Sequence, residues 1–276
     1  MINLYSIDHF SLEQTFDCGQ CFRFEKDENG VFYGVVANNA VKAYYHTPET
    51  ICLESSNPDP DFWNNYLNFS CNYADVEKQL SNDKKLLPCI KAGQGIRILR
   101  QDLWETIVSF IISANNNIPR IKKIINKLCE LYGEKIEFDS KVFFGFPSAE
   151  TLAKLELSDL SEIRAGFRDK YILDAAKKVV SKEVDLERLP NLENTAAKAE
   201  LMKIKGVGTK VADCILLFSL GRHNVFPLDV WTKRILTELY GVEEKAMPDF
   251  VEKTYGNNAG IAQQYLYYYY AIEKNK

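Results

Sequence analysis

Ile204-Lys205-Gly206-Val207-Gly208-Thr209-Lys210-Val211-Ala212-Asp213 is the stretch on which the fold turns. Ala196 to Lys203, just before it, reads as helix. Val211 to Leu220, just after, is an apolar run long enough for a second, buried helix. The turn between them holds Gly206 and Gly208 with only Val207 in between. Two glycines so close permit positive φ and let the backbone approach a ligand with no Cβ in the way. Thr209 can help cap the second helix. The free N–H groups of Lys205, Gly206, Val207 and Gly208, with the helix N-terminus, suit one phosphate. A plain glycine-rich turn between two helices fits the same residues.

Lys210 sharpens the reading. It lies in the first turn of the second helix, where the positive end of the dipole disfavours an ammonium. Partly desolvated, such a lysine is expected to have a lowered pKa and to serve as a neutral amine nucleophile. Further on comes Phe226-Pro227-Leu228-Asp229-Val230-Trp231. Pro227 breaks the chain and Asp229 stands where a new helix is capped, so its carboxylate is well held. An amine and a carboxylate in one cleft can attack and stabilise an electron-poor sugar carbon. Asp229 also fits an ordinary cap. A helix-hairpin-helix that grips a nucleic-acid backbone accounts for the glycine turn.

Composition sets broad limits. With 276 residues, 46% hydrophobic and 26% charged, the chain reads as a globular protein able to bury a sizeable core. No apolar run approaches the length of a membrane span, so no membrane partner is expected. The segment Met1-Ile2-Asn3-Leu4-Tyr5 lacks the basic region and apolar core of a signal peptide. The net charge of −4 argues mildly against nucleic acid, but a local basic face suffices. The seven cysteines are odd in number and scattered, which suggests a reducing compartment. Cys18-Gly19-Gln20-Cys21 has no second pair at zinc spacing, so no metal site is expected.

The fold class expected is α+β, an N-terminal antiparallel sheet packed on a helical part. Phe22-Arg23-Phe24, Val31 to Val36 and Ala40 to Tyr45 are β-prone runs separated by turn signals at Asp27-Glu28-Asn29-Gly30 and Ala37-Asn38-Asn39. Pro58-Asp59-Pro60-Asp61 opens a helical region, and helices are expected to dominate after Phe62. The boundary is placed near Leu87-Pro88, giving a β-rich domain over residues 1–90 and a helical one over 91–276. The apolar helix Ile107 to Ile112 must stop at Asn115-Asn116-Asn117, and Pro119 lies just inside the next helix. Arg164-Ala165-Gly166-Phe167-Arg168-Asp169-Lys170-Tyr171 joins a glycine turn, an aromatic and several cations ahead of another helix. An exposed aromatic there can wedge into a base stack.

Together these segments resemble the 8-oxoguanine DNA glycosylase family, within the helix-hairpin-helix superfamily of base-excision glycosylases. The resemblance runs from about Phe10 to Tyr270 and rests on CGQCFRF, SANNNIPRI, GFRDKY, KGVGTKVADC and AGIAQ. It implies that Lys210 forms a Schiff base with the sugar C1′, assisted by Asp229. The carbonyl of Gly19 separates 8-oxoguanine, which carries a hydrogen on N7, from guanine, which has a lone pair there. Cys214, one turn after Lys210, faces the lesion base with a thiolate paired to the lysine ammonium. Gln263 bonds the base edge, and Tyr267 stacks on its face. Asn115 enters the gap left by the base, and Arg120 and Arg168 contact the orphaned cytosine beside the Phe167 wedge. The implied partner is damaged double-stranded DNA, bound by a monomer, with no cofactor.

Three positions depart from the family's pattern. Lys205 stands where proline is usual, which is expected to loosen the turn. Phe167 replaces a tyrosine. Trp231 replaces a histidine that often helps hold a phosphate, a loss that Lys233 and Arg234 are expected to offset. An adenine- or alkylpurine-type glycosylase and a non-enzymatic DNA-binding module are the rival readings. A prokaryotic, cytoplasmic protein acting at the nucleoid is expected, because the chain opens almost directly on its β-prone part with no basic tail.

Overall fold

The computed structural model describes residues 2–275. Five strands form an antiparallel sheet: β1 (Ile2–Ser6), β2 (Phe24–Lys26), β3 (Phe32–Val36), β4 (Asn39–Thr47) and β5 (Thr50–Ser55), in the order β1-β5-β4-β3-β2. The β2–β3 turn forms because Asp27 accepts from the N–H groups of Asn29 and Val31, both at 2.9 Å, with Gly30 at φ +83°. Phe16 stacks on Phe24 at 3.9 Å, and Trp63, fully buried, completes the core under the sheet. Trp63 belongs to the Pro60–Tyr66 helix, capped by Asp59 as the proline-and-carboxylate signal predicts.

β1, β5 and the short Leu12–Phe16 helix lie outside the three predicted strand runs. A second departure comes later, where Lys135–Phe138 (β6) and Lys141–Phe144 (β7) form a hairpin within the helical part. Its turn carries no glycine. Asp139 and Ser140 adopt φ of +52° and +58° instead, which a search for glycine turns misses.

The expected boundary at residue 90 falls inside the helix Leu87–Ala92. Core membership changes earlier. Phe69 still packs under the sheet, whereas Tyr73, Val76, Cys89 and Ile90 belong to the helical core. That core is built around Leu103–Ser113 and Thr209–Phe218, which pack on each other through a parallel Phe110–Phe218 stack at 5.4 Å. Ala259–Tyr267, buried over all but its last residue, packs on the Leu87–Ala92 helix, with Gly260 against Leu217. The ends of these helices and the loop after Phe16 converge on one face.

Candidate active site

A cavity of about 660 Å³ opens on that face. Gly19, Asn115, Lys210, Cys214, Asp229, Gln263 and Tyr267 all line it, although they are spread over most of the chain. Phe110 and Phe218 form an apolar floor that the motifs did not announce.

Each polar group reaches the cavity through a local device. Gly19 sits at φ +82°, a conformation that strains other residues, and a Cβ there would lie 3.3 Å from Tyr267. Its neighbours hold the loop. The carbonyl of Cys18 accepts from Gln264 at 2.8 Å. Buried Gln20 donates to the carbonyls of Thr15 and Arg97 at 2.9 and 2.8 Å, and accepts from the Leu99 N–H at 2.9 Å. Gln20 and Gln264 were not singled out from sequence, and only their burial identifies them.

The asparagine triplet divides its labour. Asn116 donates to the Ile112 carbonyl at 3.1 Å, closing one helix, and Asn117 caps the next by accepting from the Arg120 N–H at 3.0 Å. Asn115 is exposed at φ +50°. That conformation is strained for most side chains and tolerated by asparagine.

Arg168 is tied to the backbone. Only 3% exposed, it donates to the carbonyls of Ala114, Asn115 and Ala165. Four of its five N–H groups are spent on these carbonyls and hold the asparagine turn. Its guanidinium also lies over the Phe167 ring at 4.4 Å, leaving that ring 53% exposed. Arg120 is the exposed arginine beside the turn.

The hairpin is formed by Asn194–Leu201 and Thr209–Phe218. Gly206 is at φ +87° against the Tyr171 ring, and Gly208 is the N-cap residue of the second helix. Thr209 does not cap it, since it is already the first helical residue. Val207 turns inward, its side chain buried and its N–H bonded to the Ile204 carbonyl at 3.1 Å. The N–H groups left for a phosphate are those of Gly206, Gly208 and the helix's first turn. Lys205 tightens the turn rather than loosening it. Its N–H, which a proline would lack, donates to Asp174 at 2.8 Å.

Lys210 reaches from the first turn toward the floor, its Nζ 5.7 Å from the centre of the Phe110 ring. Asp229 caps Val230–Tyr240 in a reciprocal box with Thr232: its Oδ1 accepts from the Thr232 N–H at 2.7 Å, and the Thr232 hydroxyl accepts from the Asp229 N–H at 2.9 Å. Cys214 departs from the thiolate expectation. Burial pushes its thiol up to about 11, against the pull of the Lys210 ammonium, and the Asp229 carboxylate adds to the rise. It is therefore a neutral thiol at neutral pH. Burial likewise holds the Tyr267 phenol protonated, up to about 12.

Gln263 is 4% exposed, and its Oε1 has no hydrogen-bond partner. A buried amide oxygen left unpaired costs about 1–3 kcal/mol, so this atom is placed to meet a donor from outside. At the rim, Lys233 pairs with Glu244 and Arg234 with Glu238. Neither is the free cation expected to compensate for Trp231.

Among the described residues no three His, Cys, Asp or Glu side chains cluster, and no helix is long and apolar enough to cross a membrane.

Known proteins share this architecture. Residues 2–107 match the 8-oxoguanine DNA glycosylase N-terminal domain, and residues 108–258 match the HhH-GPD superfamily of base excision DNA repair proteins. The Arabidopsis thaliana N-glycosylase/DNA lyase OGG1 is 30% identical over 93% of this chain and 76% of its own. The Saccharomyces cerevisiae N-glycosylase/DNA lyase is 38% identical over 54% of this chain. That match spans 43% of the yeast protein, and 66% of a probable N-glycosylase/DNA lyase of Methanothermobacter thermautotrophicus is spanned likewise. A structure of the Clostridium acetobutylicum 8-oxoguanine glycosylase/lyase with double-stranded DNA containing cytosine opposite 8-oxoguanine is 38% identical, with a TM-score of 0.93 over 100% of this chain and 99% of that one. With both domains matched in order, the chain belongs to the 8-oxoguanine DNA glycosylase family.

Proposed function

We propose that this cavity receives 8-oxoguanine extruded from duplex DNA, and that Lys210 excises it and then nicks the strand. The observation carrying this reading is that an amine and a carboxylate, Lys210 and Asp229, line one cavity with a buried, unpaired amide oxygen on Gln263. That oxygen suits an N–H donor on the base edge. The Gly19 carbonyl can accept from the N7 hydrogen of 8-oxoguanine, whereas guanine would set two acceptors face to face, at a cost of about 1–3 kcal/mol. Tyr267 and Cys214 serve as the faces between which the base lies. A neutral thiol supports this by packing and polarisability, with no ion pair required.

In the reaction, the Lys210 amine forms a bond to C1′ as the bond from C1′ to the purine nitrogen breaks, its electron pair leaving with the base. Asp229 stabilises the positive charge developing on the sugar. The amine nitrogen gives a proton to the departing base, its lone pair forms the C=N bond of a protonated imine as the C1′–O4′ bond breaks, and O4′ takes up a proton from water. Loss of the C2′ proton then expels the 3′ phosphate oxygen and nicks the strand.

The DNA is gripped by the Gly206–Gly208 turn, kinked over Phe167 and filled at the gap by Asn115. Arg120 is the better placed reader of the orphaned cytosine, because it is exposed and most of the donors of Arg168 are taken. We take the enzyme to act as a monomer. A rival non-enzymatic DNA-binding role would need the hairpin but not this cavity.

Borohydride trapping on an 8-oxoguanine duplex tests the assignment. Wild-type protein should become covalently cross-linked. Lys210→Gln should lose both excision and cross-linking while still binding lesion DNA, because its hairpin is intact. Normal excision by that variant would remove the Schiff base from the mechanism.

A further inference from the structure

Trp231 is not absorbed by the roles above. It lies in the first turn of the helix that Asp229 caps, so the capping box fixes its backbone. It lines the same cavity as Lys210, remains 43% exposed, and its indole N–H has no hydrogen-bond partner among the described residues. Val230, beside it on the same lip, is 82% exposed. The nearby cation Lys233 is tied to Glu244. Val230 and Trp231 thus give this lip an apolar stretch between Asp229 and Lys233, and apolar Phe110 and Phe218 line the same cavity.

An imine on Lys210 has two exits. Water can add at C1′, returning the free lysine amine and an abasic aldehyde on an intact strand. Alternatively a base removes the C2′ proton, the electron pair forms the C2′–C3′ double bond, and the 3′ phosphate oxygen leaves with the C3′–O pair. Only the first exit consumes water at the step that decides the product. Excluding water from a reactive intermediate suppresses its hydrolysis. We infer that Trp231 is the partition residue of this enzyme: its indole closes over the imine from the rim, holds water off C1′ and directs the intermediate toward strand scission. The inference rests on the Schiff-base assignment to Lys210.

The test is single-turnover reaction of the full chain on an 8-oxoguanine duplex with cytosine opposite. Nicked strand is counted against intact strand that breaks only on later alkali treatment. Trp231→Ala should lower the nicked-to-abasic ratio by about tenfold, the equivalent of 1.4 kcal/mol between the two exits. Base release is expected to slow as well, so the ratio is the readout. Trp231→Phe, which keeps an apolar ring, should hold the ratio within about threefold, near 0.7 kcal/mol. Tryptophan fluorescence gives a second readout. Trp63 is fully buried, and the Trp104 N–H is bonded to the Pro147 carbonyl. Emission should therefore change on lesion binding in the wild type and stay constant in Trp231→Phe.

An unchanged ratio in Trp231→Ala overturns the inference, and so does an equal fall in the Ala and Phe variants, which would point to the indole N–H instead. If the wild type itself gives no borohydride-trapped complex, the Schiff-base assignment fails, and this inference with it. A trapped complex with an unchanged ratio defeats the Trp231 role alone.

Discussion

Gly206 and Gly208 stand two residues apart, yet alanine at each should fail in a different way. Gly206 is at φ +87°, and an added Cβ would lie 2.5 Å from Cδ2 of Tyr171. Left-handed backbone costs an L residue about 1–2 kcal/mol. Forcing a methyl against a packed ring adds about 1–3 kcal/mol. Tyr171 in turn packs edge-on against Phe167 at 5.8 Å, so a shift there is passed to that exposed ring. Gly206→Ala should therefore lose about 3 kcal/mol of stability, roughly 6–12 °C in Tm for a chain of this size. Gly208 differs. It is at φ −99°, and nothing lies within 4 Å of its built Cβ. Alanine is a poorer N-cap than glycine but restricts the unfolded chain, and the two effects offset to within about 1 kcal/mol. In the proposed binding mode this open space is where a phosphate approaches the N–H groups. Gly208→Ala should keep its Tm and bind lesion duplex about tenfold more weakly, the loss of roughly one charge-assisted hydrogen bond. Thermal melts and fluorescence anisotropy at fixed salt measure both quantities. An unchanged Tm in Gly206→Ala, or wild-type affinity in Gly208→Ala, would refute this division between fold and grip.

Two further outcomes follow from the same structure. Burial, aided by the Arg100 cation, pushes the His223 imidazole down to about 4, and its Nε2 lies 3.1 Å from Asn68 Nδ2. The folded state prefers neutral histidine, so the unfolded chain takes the proton first as pH falls. This contribution is complete above the ordinary value near 6.5 and fades as pH drops toward 4, by at most about 3 kcal/mol, so wild type minus His223→Gln should slope in that window in denaturant titrations. Phe167 carries no hydroxyl to bond the bases beside the gap, so discrimination among opposite bases should be weak. Phe167→Tyr should raise the preference for cytosine by about tenfold in single-turnover rates on four duplexes, and equal ratios in both proteins would free the wedge of that role.

Much of the site was legible where chemistry is local. A GxG turn, an N-cap aspartate behind a proline and an asparagine triplet between apolar helices each declare a backbone geometry within a few residues. Gly206, Lys210, Asp229 and Asn115 accordingly stand where the turn and cap rules put them. What stayed hidden depends on partners far away in sequence. β1 is a strand because it pairs with β5, nearly fifty residues on, and its alternation alone is short. The β6–β7 turn uses Asp139 and Ser140 where glycine was the signal sought. Arg168 reads from sequence as a cation beside an exposed aromatic. Only packing shows that three carbonyls from two segments consume it.

Those carbonyls reveal how the site is made ready. In two of the segments that reach the cavity, one residue is spent on holding the backbone and its neighbour is left without an internal partner. Asn116 and Asn117 close and open helices, leaving Asn115 exposed. Gln264 ties down the Cys18 carbonyl, while Gln263 keeps its Oε1 unpaired and Gly19 lines the cavity. At Asp229 the holding is mutual, since Thr232 and Asp229 lock each other in the capping box. A polar group aimed at a ligand has lost its solvent partners and cannot orient itself, so its cost must be met by a neighbour with ordinary bonds. This explains why glutamine and asparagine recur in adjacent positions here. It also explains why replacing the holding residue of a pair should damage the reaction about as much as replacing the facing one. Preorganisation of this kind lets transition-state charge meet fixed dipoles with little rearrangement.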